Sequence, residues 1–229
     1  MSVKTYSLAK DASLRLSQNF RVEEFACKDG SDAILISEEL IEMLEKLRER
    51  LGCSININSG YRTVAHNRAI GGSLTSKHCY GIAADIICKR GGKTIPAAEV
   101  CCAAQSLGFG GIGYISAGAT HVDIREGRWW ADESRKDKKV ADFYSYFGIR
   151  NPDKCPYKEP KSSIRRGSRG EGVKWLQWHL IKRGFSCGES EIDGSCGKAT
   201  HAAIIAFQKW ANLEPDGICG PATRNALKN

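Results

Sequence analysis

Ser76-Lys77-His78-Cys79-Tyr80-Gly81-Ile82-Ala83-Ala84-Asp85 places a histidine and an aspartate seven residues apart, with a glycine between them. The glycine permits a turn, and Ala83-Ala84-Asp85-Ile86-Ile87-Cys88 reads as a strand. A histidine on a loop and a carboxylate on a strand can then point at one spot. Ala119-Thr120-His121-Val122-Asp123 supplies a second histidine on another strand. His78, Asp85 and His121 are therefore a candidate ligand set for one zinc ion, which takes nitrogen and oxygen donors in a tetrahedron and keeps a position for water at a catalytic site. Plainer readings exist for two of them: His78 as a loop residue and His121 as a satisfied strand histidine. Asp85 is harder to explain that way, because a buried strand carboxylate needs a partner.

Asp123 lies two residues beyond His121, so on a strand both side chains face the same side. It can take a proton from the attacking water, or it can hold His121 from behind. Arg62, in the polar stretch Tyr61-Arg62-Thr63, is a cation able to clamp a substrate carboxylate or steady an oxyanion.

The surrounding chain supplies a scaffold. Leu16 to Cys27 reads as an extended segment and a short helical turn, with Phe20, Phe25 and Cys27 as core anchors. Ser37 is placed to N-cap a helix carrying Leu40, Ile41, Met43, Leu44 and Leu47 at helical spacing, and Gly52 ends it. Ser54 to Ser59 alternates like a half-buried strand. Pro96 opens a helix over 97–107. Tyr114-Ile115 and 120–125 read as a hairpin joined by 116–119. From Arg128 to Lys139 the sequence is charged, headed by Trp129-Trp130. Residues 148–163, with Pro152, Pro156 and Pro160, read as a linker.

Beyond the linker, three amphipathic helices are expected: one around Val173 to Ile181, one over 199–211 and a short one over 222–227. An internal repeat joins them: Ile192-Asp193-Gly194-Ser195-Cys196-Gly197-Lys198-Ala199-Thr200 resembles Pro215-Asp216-Gly217-Ile218-Cys219-Gly220-Pro221-Ala222-Thr223. Cys196 and Cys219 take equivalent places, which favours core roles over a bridge.

The chain has 229 residues and 41% apolar composition, enough for one medium domain and a small one with real cores. Its formal charge of +8 suits an anionic partner such as nucleic acid, a membrane surface or a wall polyanion, or simply solubility. No helix-turn-helix or zinc-finger spacing supports nucleic acid. No stretch is apolar enough to span a membrane, and the N-terminus has no apolar h-region. Ten cysteines without a Cys-x-x-Cys read mostly as buried thiols, with disulfides a minority reading for the C-terminal region.

Taken together, Ser59-Gly60-Tyr61-Arg62-Thr63, Asn67, Gly71-Gly72, Ser76-x-His78-x-x-Gly81-x-Ala83-x-Asp85, His121-Val122-Asp123 and the opening from Leu16 to Phe25 resemble the M15 metallopeptidases. The resemblance covers roughly 14–130 and is to the branch of zinc D-Ala-D-Ala carboxypeptidases and phage endolysin-like wall peptidases. It implies zinc ligands at His78, Asp85 and His121 and a substrate or transition-state role for Arg62, with Ser76 and Thr120 as further polar contacts. Several members carry an acidic base three residues before the last ligand; here that position is Gly118, and Asp123 is the substitute candidate. Gly167-Ser168-Arg169-Gly170, Gln177, Asp193-Gly194, Ala206-Phe207-Gln208 and Asp216-Gly217-x-Cys219-Gly220-Pro221-x-Thr223 resemble a small peptidoglycan-binding domain.

The resulting expectation is a two-domain α+β protein. A zinc peptidase domain (1–147) with a small, mostly antiparallel sheet leads through the linker to an all-α wall-binding domain (164–229). It would be a monomer acting on peptidoglycan, with no nucleic-acid partner and no stable membrane insertion. It would cut the stem peptide as a D-Ala-D-Ala carboxypeptidase, made in the cytoplasm and released on lysis or by a non-Sec route. An L-Ala-D-Glu or cross-link endopeptidase and a non-catalytic zinc-containing murein-binding protein are the alternatives.

Overall fold

The computed structural model describes residues 2–228. The chain divides into two compact units, Met1–Asn151 and Pro152–Asn229. The first is α+β. In chain order it contains β1 (Val3–Ser7), α1 (Leu8–Asp11), β2 (Ala33–Ser37), α2 (Glu38–Leu51), β3 (Ser54–Ser59), α3 (Val64–Ala69), β4 (Ala83–Arg90), β5 (Lys93–Thr94), α4 (Ala97–Leu107), β6 (Gly111–Tyr114), β7 (Thr120–Asp123), β8 (Trp129–Asp132), β9 (Lys138–Lys139) and α5 (Phe143–Phe147).

The main sheet has the order β3-β4-β7-β6-β8-β9, with β5 attached to β4. Every pairing is antiparallel except β6 with β8. Helix α4 packs on β4, β6 and β7 and against α2. Its small side chains, Ala97, Cys101 and Ala104, are fully buried and let the helix lie close to the sheet. Leu40, Leu44 and Leu47 of α2 are each at most 1% exposed; complete burial contributes about 1.5–3 kcal/mol for each such side chain. Phe20, Phe25 and Cys27 are buried, and Gly52, at φ 56°, closes α2.

Two local expectations change. Ser37 does not cap α2 through its side chain. It ends β2, a strand that pairs with β1 and runs straight into the helix, and its hydroxyl is buried without a partner. The first strand of the hairpin expected at Tyr114-Ile115 begins earlier, as β6 at Gly111, and the charged stretch from Arg128 to Lys139 forms β8, a 3-10 turn at Glu133–Arg135, and β9.

The second unit is all-helical: α6 (Glu171–Lys182), α7 (Lys198–Trp210) and α8 (Pro221–Lys228). Leu176, Leu180, Ile204, Phe207 and Leu227 are fully buried between them. The sequence repeat is a structural repeat. The amide Nε2 of buried Gln177 lies 2.7 Å from Asp193 Oδ1, 3.2 Å from the Ser195 carbonyl and 3.1 Å from Thr200 Oγ1, while its Oε1 accepts from the Gly194 N–H at 2.8 Å. Gln208 does the same with Asp216 Oδ1 at 2.7 Å, the Ile218 carbonyl at 3.0 Å, Thr223 Oγ1 at 3.1 Å and the Gly217 N–H at 2.9 Å. Cys196 and Cys219 sit at matching buried positions beside these networks. Among the described residues, no helix is long and apolar enough to cross a membrane.

Candidate metal centre

Alternation along β7 sorts its side chains. Thr120 and Val122 face the core under α4, whereas His121 and Asp123 face the other side of the sheet. On the neighbouring strand, Asp85 is the direct cross-strand partner of His121. His78 arrives from a 3-10 turn, Lys77–Tyr80, that ends at Gly81 with φ 68°. A Cβ at Gly81 would stand 2.4 Å from the Leu35 carbonyl oxygen, so both its conformation and its close approach require glycine.

Three donor atoms converge. His78 Nε2 lies 3.2 Å from Asp85 Oδ1 and 3.2 Å from His121 Nδ1, and His121 Nδ1 lies 2.9 Å from Asp85 Oδ1. His78 and His121 are 2% and 8% exposed. The opposite ring nitrogens fix the tautomers. His78 Nδ1 donates to the Gly60 carbonyl at 2.7 Å, and His121 Nε2 donates to Asp123 Oδ2 at 3.1 Å. With both rings neutral, the converging nitrogens therefore present lone pairs, and the third atom is a carboxylate oxygen. Three acceptors at these separations, buried together, need a cation. Ligands at 2.0–2.1 Å on a tetrahedral zinc ion stand about 3.3 Å apart. The donor chemistry and the spacing both fit zinc.

Where no ion neutralises the cluster, a proton on His121 does so. Burial would raise the Asp85 carboxyl, but hydrogen bonds from His121 and His78 hold it well below the usual carboxylate range. Burial would lower His121, but its hydrogen bonds to Asp123 and Asp85 lift it to about 9. Arg62 bonds the outer oxygen of Asp85 and donates through Nε to Ser59 Oγ at 2.9 Å. The guanidinium thus stands at the cluster, bound to a ligand.

Two expected roles are corrected. Asp123 is completely buried, and its oxygens are taken by His121, by the Arg125 backbone N–H at 3.0 Å and by the Arg125 guanidinium. Although burial works in the other direction, those bonds keep its carboxyl well below the usual range. It has no face open to a reacting water, which does not suit the expected base, and its bond to His121 Nε2 is the one an orienting partner would make. Thr120 is 1% exposed on the core side, against the Cys101 thiol, and is turned away from the ligands; it is not a substrate contact. Ser76 is half-buried at the start of the turn carrying His78, and its hydroxyl makes no cap there.

The sequence reading missed Glu133. This residue opens the 3-10 turn after β8, and its Oε1 is buried without a hydrogen-bond partner. A Cβ on Gly113 would lie 1.8 Å from that oxygen and 3.1 Å from His121 Cβ, so the carboxylate lies over the sheet beside His121. Burial raises its pKa, with His121 and Asp85 among the charges acting on it. Gly111 makes equivalent room for Asp123, whose Oδ2 would meet a Cβ at 2.0 Å. The alternation Gly111-Ile112-Gly113 beside the His121 strand was the available signal: two glycines on one strand face mark two bulky groups lying across it.

Comparison with known proteins follows this geometry. Residues 17–123 match the family model of peptidase M15. That match lies within the first unit. Residues 169–227, within the second unit, match a peptidoglycan binding domain. Curated relatives of this chain include a probable N-acetylmuramoyl-L-alanine amidase of Bacillus licheniformis, 42% identical over 64 residues, which are 28% of this chain and 18% of that protein. Another is the zinc D-Ala-D-Ala carboxypeptidase of Streptomyces albus G, 40% identical over 65 residues, 28% of this chain and 26% of that protein. The chain thus spans about a quarter or less of the length of these two relatives. Among solved structures, the L-Ala D-Glu endopeptidase ChiX of Serratia marcescens is 17% identical, over 39% of this chain and 80% of that one, with a TM-score of 0.32.

Proposed function

We propose that this chain is a zinc-dependent peptidoglycan peptidase that hydrolyses the murein stem peptide, in the manner of a D-Ala-D-Ala carboxypeptidase. The observation that carries the reading is the convergence of His78 Nε2, Asp85 Oδ1 and His121 Nδ1, with both histidine tautomers set from behind. These three residues would hold the ion. When bound, zinc supplies Lewis acidity, polarising the scissile carbonyl and acidifying the attacking water.

The chain's own residues do the rest. Glu133, with its unpartnered Oε1 beside His121, takes a proton from the attacking water and passes it to the leaving amine. One C–N bond breaks, and the products are a carboxylate and an amine. Asp123 keeps His121 Nε2 protonated, so that Nδ1 is the donor. Arg62 holds Asp85 and offers positive charge to a substrate carboxylate, and Ser76 adds a polar contact. The second unit concentrates the enzyme on peptidoglycan, and the net charge of +8 suits anionic wall polymers.

Purified peptidoglycan digested with the zinc-loaded full chain, followed by mass spectrometry of the new termini, tests this reading. Free D-Ala is expected. A new amino-terminal D-Glu or a split cross-link would replace the carboxypeptidase reading with an endopeptidase one, and no release at all would remove the peptidase reading.

A further inference from the structure

A second set of donors lies in the first unit, sharing no residue with the first. Cys27 Sγ, a carboxylate oxygen of Asp29 and a ring nitrogen of His66 lie within 4.8 Å of one another. Cys27 and Asp29 follow the 3-10 turn Val22–Phe25, and His66 sits in the first turn of α3. Thr63 gathers the three. Its backbone N–H donates to Cys27 Sγ at 3.4 Å, its hydroxyl donates to Asp29 Oδ2 at 2.5 Å, and that same hydroxyl accepts the His66 backbone N–H at 3.0 Å. Cys27 is buried, His66 half-buried and Asp29 exposed. Among the described residues, neither ring nitrogen of His66 has a hydrogen-bond partner.

We propose that Cys27, Asp29 and His66 bind a second metal ion of the zinc class, with water completing its coordination. A thiolate, an imidazole and a carboxylate form a donor set suited to a borderline-soft transition metal, not to calcium or magnesium. The N–H donated to the sulfur supports the thiolate, and the hydroxyl on Asp29 orients the carboxylate, the outer contacts that metal ligands commonly carry. Zinc bonds of 2.0–2.3 Å set ligand atoms about 3.3–3.8 Å apart, so donors within 4.8 Å of one another need close by no more than about 1.5 Å on the ion. The exposed Asp29 and half-buried His66 have the freedom to do so.

Such an ion staples residues 27–29 to residues 63–66. Residues 60–62, which run directly into the second of these segments, matter to the first centre. Gly60 gives its carbonyl to His78 Nδ1, Tyr61 N–H bonds the Phe25 carbonyl at 2.9 Å, and Arg62 holds Asp85. The second ion therefore has a holding role, independent of which bond the first centre cuts.

Cobalt tests it with a signal the first centre cannot give, since His78, Asp85 and His121 contain no sulfur. The metal-stripped full chain is titrated with Co2+ and read for a sulfur-to-cobalt charge-transfer band in the near ultraviolet, with bound metal counted per chain. The wild type should show the band and bind two ions. Cys27→Ser should lose the band and one ion. His66→Ala, a change at a half-buried position, should do the same if the cysteine variant folds poorly. His78→Ala should keep the band and lose the other ion. A wild type without the band, or a band that survives both Cys27→Ser and His66→Ala, overturns the second site.

Discussion

Glu133 and Asp123 both approach His121, yet their surroundings give them opposite chemistry. Asp123 is saturated by hydrogen bonds and stays ionised; Glu133 has a buried oxygen with no partner and a raised pKa. A base must be able to accept a proton and later give it up, and of these two carboxylates Glu133 is the one that fits that requirement. Glu133→Gln should lower turnover about 10²–10⁴-fold with the metal content unchanged. Asp123→Asn should instead weaken metal binding, by about 10–100-fold, measured by competition with a chromogenic chelator. Equal metal affinity in Asp123→Asn and wild type would mean that Asp123 does not orient His121.

At the scale of elements, β6 decides how two carboxylates fit over one sheet. Gly113→Ala puts a methyl group where Glu133 Oε1 lies. It should reduce turnover by displacing Glu133 while the ion stays bound; unchanged turnover would place the base elsewhere. The ligand-bearing strands were legible in the sequence because Ala83 to Cys88 and 120–125 carry apolar residues and turn signals at strand spacing. Helix α4 was legible from Pro96. Glu133 was not, because its 3-10 turn lies in a charged stretch where only tertiary packing against Gly113 buries the side chain. The β1–β2 pair was hidden for a similar reason: it joins residues about thirty positions apart through backbone bonds, which periodicity does not report. In the second unit the repeat was visible, but the glutamines that organise it were not seen as its centre. Gln177→Ala and Gln208→Ala each leave buried polar groups without partners. Each should cost about 1–3 kcal/mol in a denaturant melt, by similar amounts, since the two networks match.

At the scale of the whole molecule, proton and metal compete for one place. In chelator-stripped protein the His121 proton supplies the cation that the acceptors need. Folding raises this pKa from the ordinary 6.5 to about 9. The resulting stabilisation is fully present below the unfolded value and is lost as pH rises through about 9. The Tm of the stripped protein should therefore fall between about pH 6.5 and pH 9. Zinc-loaded protein should not share that loss, because its His121 is already deprotonated as a ligand. Parallel curves for the two forms would exclude His121 from the metal centre.

The pairing of Asp85 with His121 across β4 and β7 also imposes an order in time. The two residues are 36 apart in sequence, so their meeting waits on closure of a long loop. A slip of one residue would send either side chain to the opposite face of the sheet. An ion held by these residues would then be captured after the strands have zipped in register, unlike the ion that nucleates a zinc finger. Metal uptake during refolding should then lag the sheet signal in stopped-flow, and the ion acts as a proofreader of the finished ladder.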